Sequence, residues 1–174
     1  KLTNQNPYKI MNSDIAKRIT RDEESFDSFK KIVGAKNEIF REIVKETIYP
    51  ILENASKELE LNLILNKENL LLDGIYQGFL FHNIKNDLKM SFQFQGKNHS
   101  NMIFGFHKSL NLGEENECIE KFSAKYSNYK SSGQWICYMD YEGFYNWSDL
   151  ETLQQLQFGN FKQDIIDKLQ VLLY

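Results

Sequence analysis

The chain has 174 residues, 41% of them hydrophobic and 14% aromatic, with a formal net charge of −3. That is enough chain for a real core, and the negative balance excludes general polyanion binding by the whole surface. Two cysteines, Cys118 and Cys137, are too few for a disulfide framework and form no CxxC pair. They read as reduced thiols in a cytoplasmic protein. No signal peptide opens the chain, and no apolar run is long enough to span a membrane, so no membrane contact is expected. Lys1 followed by a mixed polar start is expected of an internal piece of a longer protein or a trimmed version of one.

Residues 1–36 read as a helical lead-in and 37–174 as an α+β domain. Within the lead-in, Pro7 lies in a loose polar segment, and Ser13-Asp14 is expected to cap a short helix through Ile15, Ala16 and Ile19. Asp22-Glu23-Glu24-Ser25 is an acidic start for a second helix, since carboxylates suit the positive end of the helix dipole. Phe26, Phe29, Ile32 and Val33 follow at helical spacing, and Gly34 ends the segment. Asn37 starts the strongest helix, with an apolar stripe from Ile39 and Phe40 through Ile43, Val44, Ile48 and Leu52 to Leu59. Pro50 lacks a donor and clashes with the preceding turn, so a kink is expected near Tyr49.

A block of strands follows. Leu61 to Leu65 and Leu70 to Leu72 are short apolar runs around a turn-like Asn66-Lys67-Glu68-Asn69. Ile75 to Phe81 and Leu88 to Gln95 alternate, as does the run through Met102, Phe104 and Phe106, and short turns join all three. That pattern is an antiparallel meander. Leu110 to Asn116 reads as a loop, Glu117 to Tyr126 as a short helix, and Ser127 to Gly133 as a polar loop. A strand from Trp135 to Tyr141, an aromatic turn, an acidic helix start at Ser148 to Glu151 and a last amphipathic helix close the chain. The predicted class is α+β, with N-terminal helices, an antiparallel β-meander of about four to six strands, and C-terminal helices.

Candidate chemistry is sparse. Asp73 with Asp87-Leu88-Lys89 has the spacing of a PD-(D/E)XK metal site, where carboxylates hold Mg²⁺ and the lysine activates water. However, Lys85-Asn86-Asp87 is a polar turn and Lys89 falls on the outward face of its strand. His82, His99 and His107 have no metal-ligand spacing, and His82 and His107 lie at strand ends that could be neighbours. Cys118 sits beside Ile119 on the apolar side of a helix, where a thiol is inert. Trp135, Tyr138, Tyr141, Phe144, Tyr145 and Trp147 could stack bases, yet the stretch between Lys130 and Lys162 has no Lys or Arg to hold phosphates. A packed aromatic corner is the expectation. Tyr145 and Trp147 are the binding candidates if their rings are exposed. Lys17, Arg18, Arg21, Lys30, Lys31 and Lys36 form the one concentrated basic region, equally readable as a solvated helix face.

The order Trp135 to Tyr141, Tyr145-Asn146-Trp147, Leu150, Leu153, Leu156, Gly159-x-Phe161, Ile165-x-x-Lys168-Leu169-x-x-Leu172 resembles the C-terminal region of a bacterial PD-(D/E)XK nuclease-superfamily group. Asn86 to Phe94, Asn101 to Phe106 and the helix around Ile48-Tyr49-Pro50 are similar to parts of the same group. The resemblance covers residues 37–174. It implies an accessory or recognition domain of such a nuclease, one that could serve defence against foreign DNA. The family's nuclease motif lies in its N-terminal part, so no catalytic residue and no cofactor is carried over. Asp87 and Lys89 fall in the accessory hairpin. Contact with nucleic acid would come through the parent nuclease, or the domain would hold a protein partner. Two alternatives stand beside this: a self-contained Mg²⁺-dependent nuclease using Asp73, Asp87 and Lys89, and a non-enzymatic protein-interaction module of phage or regulatory origin.

Overall fold

The computed structural model describes residues 16–72, 74–108, 115–147 and 149–173. The chain divides into two compact units, 1–40 and 41–174. In the first, a helical turn over 16–19 precedes helix α1, Glu23–Gly34. The Asp22 side chain caps α1 by accepting from the Ser25 amide at 2.8 Å, as the acidic start implies. The Ser13-Asp14 cap and Ile15 lie outside the described residues. Helix α2, Lys36–Ile43, crosses the division between the units.

In the second unit the helix does not simply bend at Pro50. Residues Val44–Ile48 wind as a π-turn, and helix α3, Tyr49–Glu58, resumes with Pro50 in its first turn. The Tyr49 amide reaches back to the Val44 carbonyl, one residue further than in an α-helix. Pro50 has no amide to donate, and the wider turn absorbs that loss. Val44, Ile48, Tyr49, Leu52 and Ala55 stay buried on one side.

The sheet has five strands in the order β1-β2-β3-β4-β5, every pair antiparallel. They are β1 Asn62–Leu65, β2 Gly78–Asn83, β3 Leu88–Phe94, β4 Met102–His107 and β5 Trp135–Asp140. The protein is therefore α+β, with helices before and after an antiparallel meander. Leu70 to Leu72 is not a strand. Asn66 caps a short helix α4, Lys67–Leu70, by accepting from the Asn69 amide at 3.0 Å, and buries Leu70. The run from Ile75 also begins its strand late, at Gly78, because Tyr76 takes a positive φ of 62°. Helix α5 spans Glu115–Lys125, α6 Leu150–Phe158 and α7 Phe161–Leu169, and a 3₁₀ turn spans Gln170–Leu172.

The register sorts the sheet's two faces. One lateral row reads Leu65, Phe79, Phe92, Phe104, Met139 across the five strands. Phe79 stacks on Phe92 at 5.1 Å between centroids, and Phe92 on Phe104 at 5.8 Å. This inner face meets Tyr141, Trp147, Phe122 and Tyr126. Phe161 of α7 in turn packs on Tyr141 and Trp147. Each fully buried phenylalanine stabilises by about 2–3 kcal/mol relative to exposure. Lys168 of α7 lies over the Tyr141 ring at 4.7 Å and the Phe104 ring at 5.2 Å, with its ammonium 3.0 Å from the Asp164 carboxylate. The cation thus joins an aromatic face and a carboxylate one helical turn away.

The chain's last turn is clipped to the β2–β3 turn. Asn83 donates to the Leu172 carbonyl at 2.7 Å, and Asn86 donates to the same oxygen at 3.1 Å.

Gly105 provides a test of this packing. A Cβ there would stand 2.1 Å from the Cys137 carbonyl oxygen and 2.7 Å from the Tyr138 Cα. Gly105→Ala must push β4 from β5, so it should cost about 2 kcal/mol or more. A thermal unfolding midpoint equal to that of the wild type would show that the two strands are not as close as described.

Candidate functional site

The adjacent lateral row on the opposite face reads Ile64, Leu80, Ser91, Gly105, Tyr138. Where the inner row carries three phenylalanines on β2, β3 and β4, this row carries leucine, serine and glycine. Gly78 lies beside Gln93 on the same face. The floor is low for a reason of packing: a Cβ on Gly78 would stand 1.9 Å from the Phe92 carbonyl oxygen. The result is an open trough of about 290 Å³ lined by Ile64, Tyr76, Gly78, Leu80, Ser91, Gln93 and His107. Tyr76 is held over it by its backbone: its amide donates to the Phe94 carbonyl at 2.8 Å, and its carbonyl accepts from Gln93 Nε2 at 3.1 Å. Ile64 and Tyr76 are both exposed. The trough thus offers an apolar rim, amide and hydroxyl groups, and little charge. It suits a neutral or weakly polar group better than a phosphate.

At one end of the face, His82, Asp87 and Lys89 come together. His82 and Lys89 pair directly across β2 and β3. Asp87 sits in the turn with a φ of 54°. One of its oxygens, Oδ1, accepts from His82 Nε2 at 2.7 Å and from Lys89 Nζ at 3.1 Å. The lysine first and the histidine second hold the Asp87 carboxyl below its usual range. The folded state therefore gains from this carboxylate above the unfolded value and loses that gain as pH falls through the depressed one. Chemically the arrangement is a closed ion cluster on an exposed turn, with the Asp87 side chain 71% exposed. A metal ion there would have to displace the Lys89 ammonium and the His82 ring from the carboxylate. Asp73 lies outside the described residues. Among those that are described, no group of three or more His, Cys, Asp or Glu side chains is placed to hold a metal.

The other sequence candidates separate. His107 is on β4, one strand beyond Lys89, so it does not neighbour His82. Burial pushes its pKa below the ordinary value. His99 is not a surface turn residue. It is buried against the edge of the Phe94 ring, with Nε2 donating to the Leu70 carbonyl at 2.7 Å. Cys118 and Cys137 are both buried, and burial pushes the Cys137 thiol up to about 12.

The aromatic turn divides. Trp147 is 0% exposed and packs on Phe94 at 5.1 Å and Phe161 at 5.6 Å, whereas Tyr145 is 37% exposed. The two do not share an exposed face, so Trp147 is a core residue. Its amide donates to the His99 carbonyl at 3.0 Å, and the Tyr145 carbonyl accepts from Met102 at 2.9 Å. Trp135 is turned to the other face of the sheet by a different device and is buried there. A bulge between Phe106 and His107 pairs His107 with Trp135 and leaves Ile136 as the extra residue. Trp135 then packs on His107 at 5.1 Å and on Tyr138 at 5.8 Å. Alternation read from the sequence missed this shift, and it missed the trough. The available signal was small residues, Gly78, Ser91 and Gly105, at outward positions of strands whose inward positions are phenylalanine.

Two outcomes check these assignments. Trp147→Ala should lose about 3–5 kcal/mol in urea unfolding, and Tyr145→Ala less than about 1 kcal/mol; equal losses would contradict the division of the turn. In the native protein both thiols should resist an aromatic disulfide reagent at pH 8 and react once urea is added. Fast labelling of the folded protein would contradict their burial.

No helix among the described residues is long and apolar enough to cross a membrane. No family model, no curated protein and no solved structure matches this chain.

Proposed function

We propose that this chain is a recognition domain without a catalytic centre of its own, and that the trough on the open sheet face is its contact surface. The resemblance of residues 37–174 supports a PD-(D/E)XK-type nuclease as the parent. The domain would then hold a substrate, a partner subunit or a regulatory ligand for that enzyme. The observation that carries the reading is the contrast between the two sheet faces. The inner face is filled with aromatic rings, while the trough on the outer one is floored by Gly78 and Ser91 and rimmed by exposed Ile64 and Tyr76. Exposed apolar rims around a small-residue floor are a feature of binding surfaces.

The engagement of Asp87 by His82 and Lys89 supports the same reading, because the carboxylate nearest to a metal motif already has two side-chain partners. Catalysis by Asp73, Asp87 and Lys89 would require that cluster to open and admit Mg²⁺.

The test is a cleavage assay with Mg²⁺ and Mn²⁺ on plasmid and single-stranded DNA, run on the wild type, Asp87→Ala and Lys89→Ala. No cleavage is expected from any of the three. Cleavage by the wild type that disappears in both variants, with their circular dichroism unchanged, would make the chain itself the nuclease.

A further inference from the structure

Helix α1 poses a separate physical problem. It runs for 12 residues, about 18 Å at the α-helical rise, and none of its residues is buried. Its apolar side chains nevertheless form one stripe. Phe26, Phe29 and Val33 lie within a narrow arc at spacings of three and four, and Ile32 widens it. All four are exposed, Ile32 by 65%. A helix so patterned gains stability only when the stripe is covered.

The charges on the same helix say what could cover it. Its first turn carries Glu23 and Glu24, and Asp22 caps it. Its second half carries Lys30 and Lys31, and Lys36 follows directly in α2. Asp27 is paired with Lys30 at 2.7 Å, and Arg21 is paired with Asp22 at 2.8 Å. The helix is thus acidic at its start and basic at its end. Two copies laid antiparallel would set Glu23 of each, beside the stripe near its acidic start, against Lys30 of the other near its basic end, with the two apolar stripes between them. Laid parallel, like charges would meet. A two-fold axis makes such a surface complementary to itself.

We infer that α1 is a self-association surface whose occupant is the α1 helix of a second copy of this chain, packed antiparallel through Phe26, Phe29, Ile32 and Val33. Each pair of opposite charges occurs twice in that arrangement, so reversing one set of charges acts at both ends.

The experiment is sedimentation velocity of the full chain over a wide concentration range. The wild type should show a concentration-dependent dimer. Phe29→Glu, at an exposed position, should keep its circular dichroism and remain a monomer throughout. Lys30→Glu with Lys31→Glu should weaken association about tenfold, as expected for several exposed charge pairs turned repulsive. The chain with Glu23→Lys and Glu24→Lys should weaken to a similar degree. Mixing those two double variants should restore association to the wild-type level. A wild type that is monomeric at every concentration overturns the inference, as does a dimer that Phe29→Glu leaves intact. A mixture no stronger than either double variant alone overturns the antiparallel arrangement.

Discussion

The second unit depends on one row of stacked rings. Phe79, Phe92 and Phe104 come from three consecutive strands and lie in one lateral row, so the sheet register and the core packing are the same fact seen twice. A slip of one residue in β3 would exchange Phe92 for Ser91 or Gln93 and turn the whole strand's apolar set outward. The elements that follow the sheet add their rings to this row. Tyr141 and Trp147 come from the segment after β5, and Phe161 comes from α7. The helices are therefore placed by the sheet's aromatic face, and the opposite face is left to do something else.

That division of labour is what gives the functional reading its shape. A stretch so rich in aromatics and so poor in Lys and Arg is expected to be a packed corner and not a stacking platform. Most of those rings are consumed by the core, with Trp147 wholly so. The surface that remains is built from what the outward strand positions lack in volume. Gly78 and Gly105 are fixed by backbone atoms of the neighbouring strands standing where their side chains would be. A concavity made this way is rigid, because its floor is the hydrogen-bonded sheet itself.

How far the sequence went can be seen residue by residue. The alternation from Leu88 to Phe94 is unbroken and both faces of β3 follow from it, since a period of two has no competing helical reading there. Pro50 announced a break, and the break took the form of a π-turn because burial of Val44, Ile48 and Leu52 on both sides had to be kept. Leu70 to Leu72 misled because three leucines carry no periodicity; the Asn66 cap decided the matter locally. His99 and Trp135 were illegible for another reason. One is positioned by a carbonyl from a distant helix and the other by a bulge, and neither leaves a mark in the spacing of its neighbours. The ion cluster at Asp87 was half visible: the turn and the outward lysine could be read, but the approach of His82 requires the register.

The clip between the β2–β3 turn and Leu172 bears on how the protein is made. Asn83 and the carbonyl it holds are separated by 89 positions in the chain. On a ribosome adding residues at typical speed, Asn83 is synthesised roughly 4–18 s before that carbonyl exists. Through that interval Asn83 must keep its amide in water, at a site that is buried once the chain is complete. The phenylalanine face waits equally for Trp147 and Phe161. Until the closing helices are made, the meander exposes apolar rings of the kind that favour aggregation, and their packing removes that hazard.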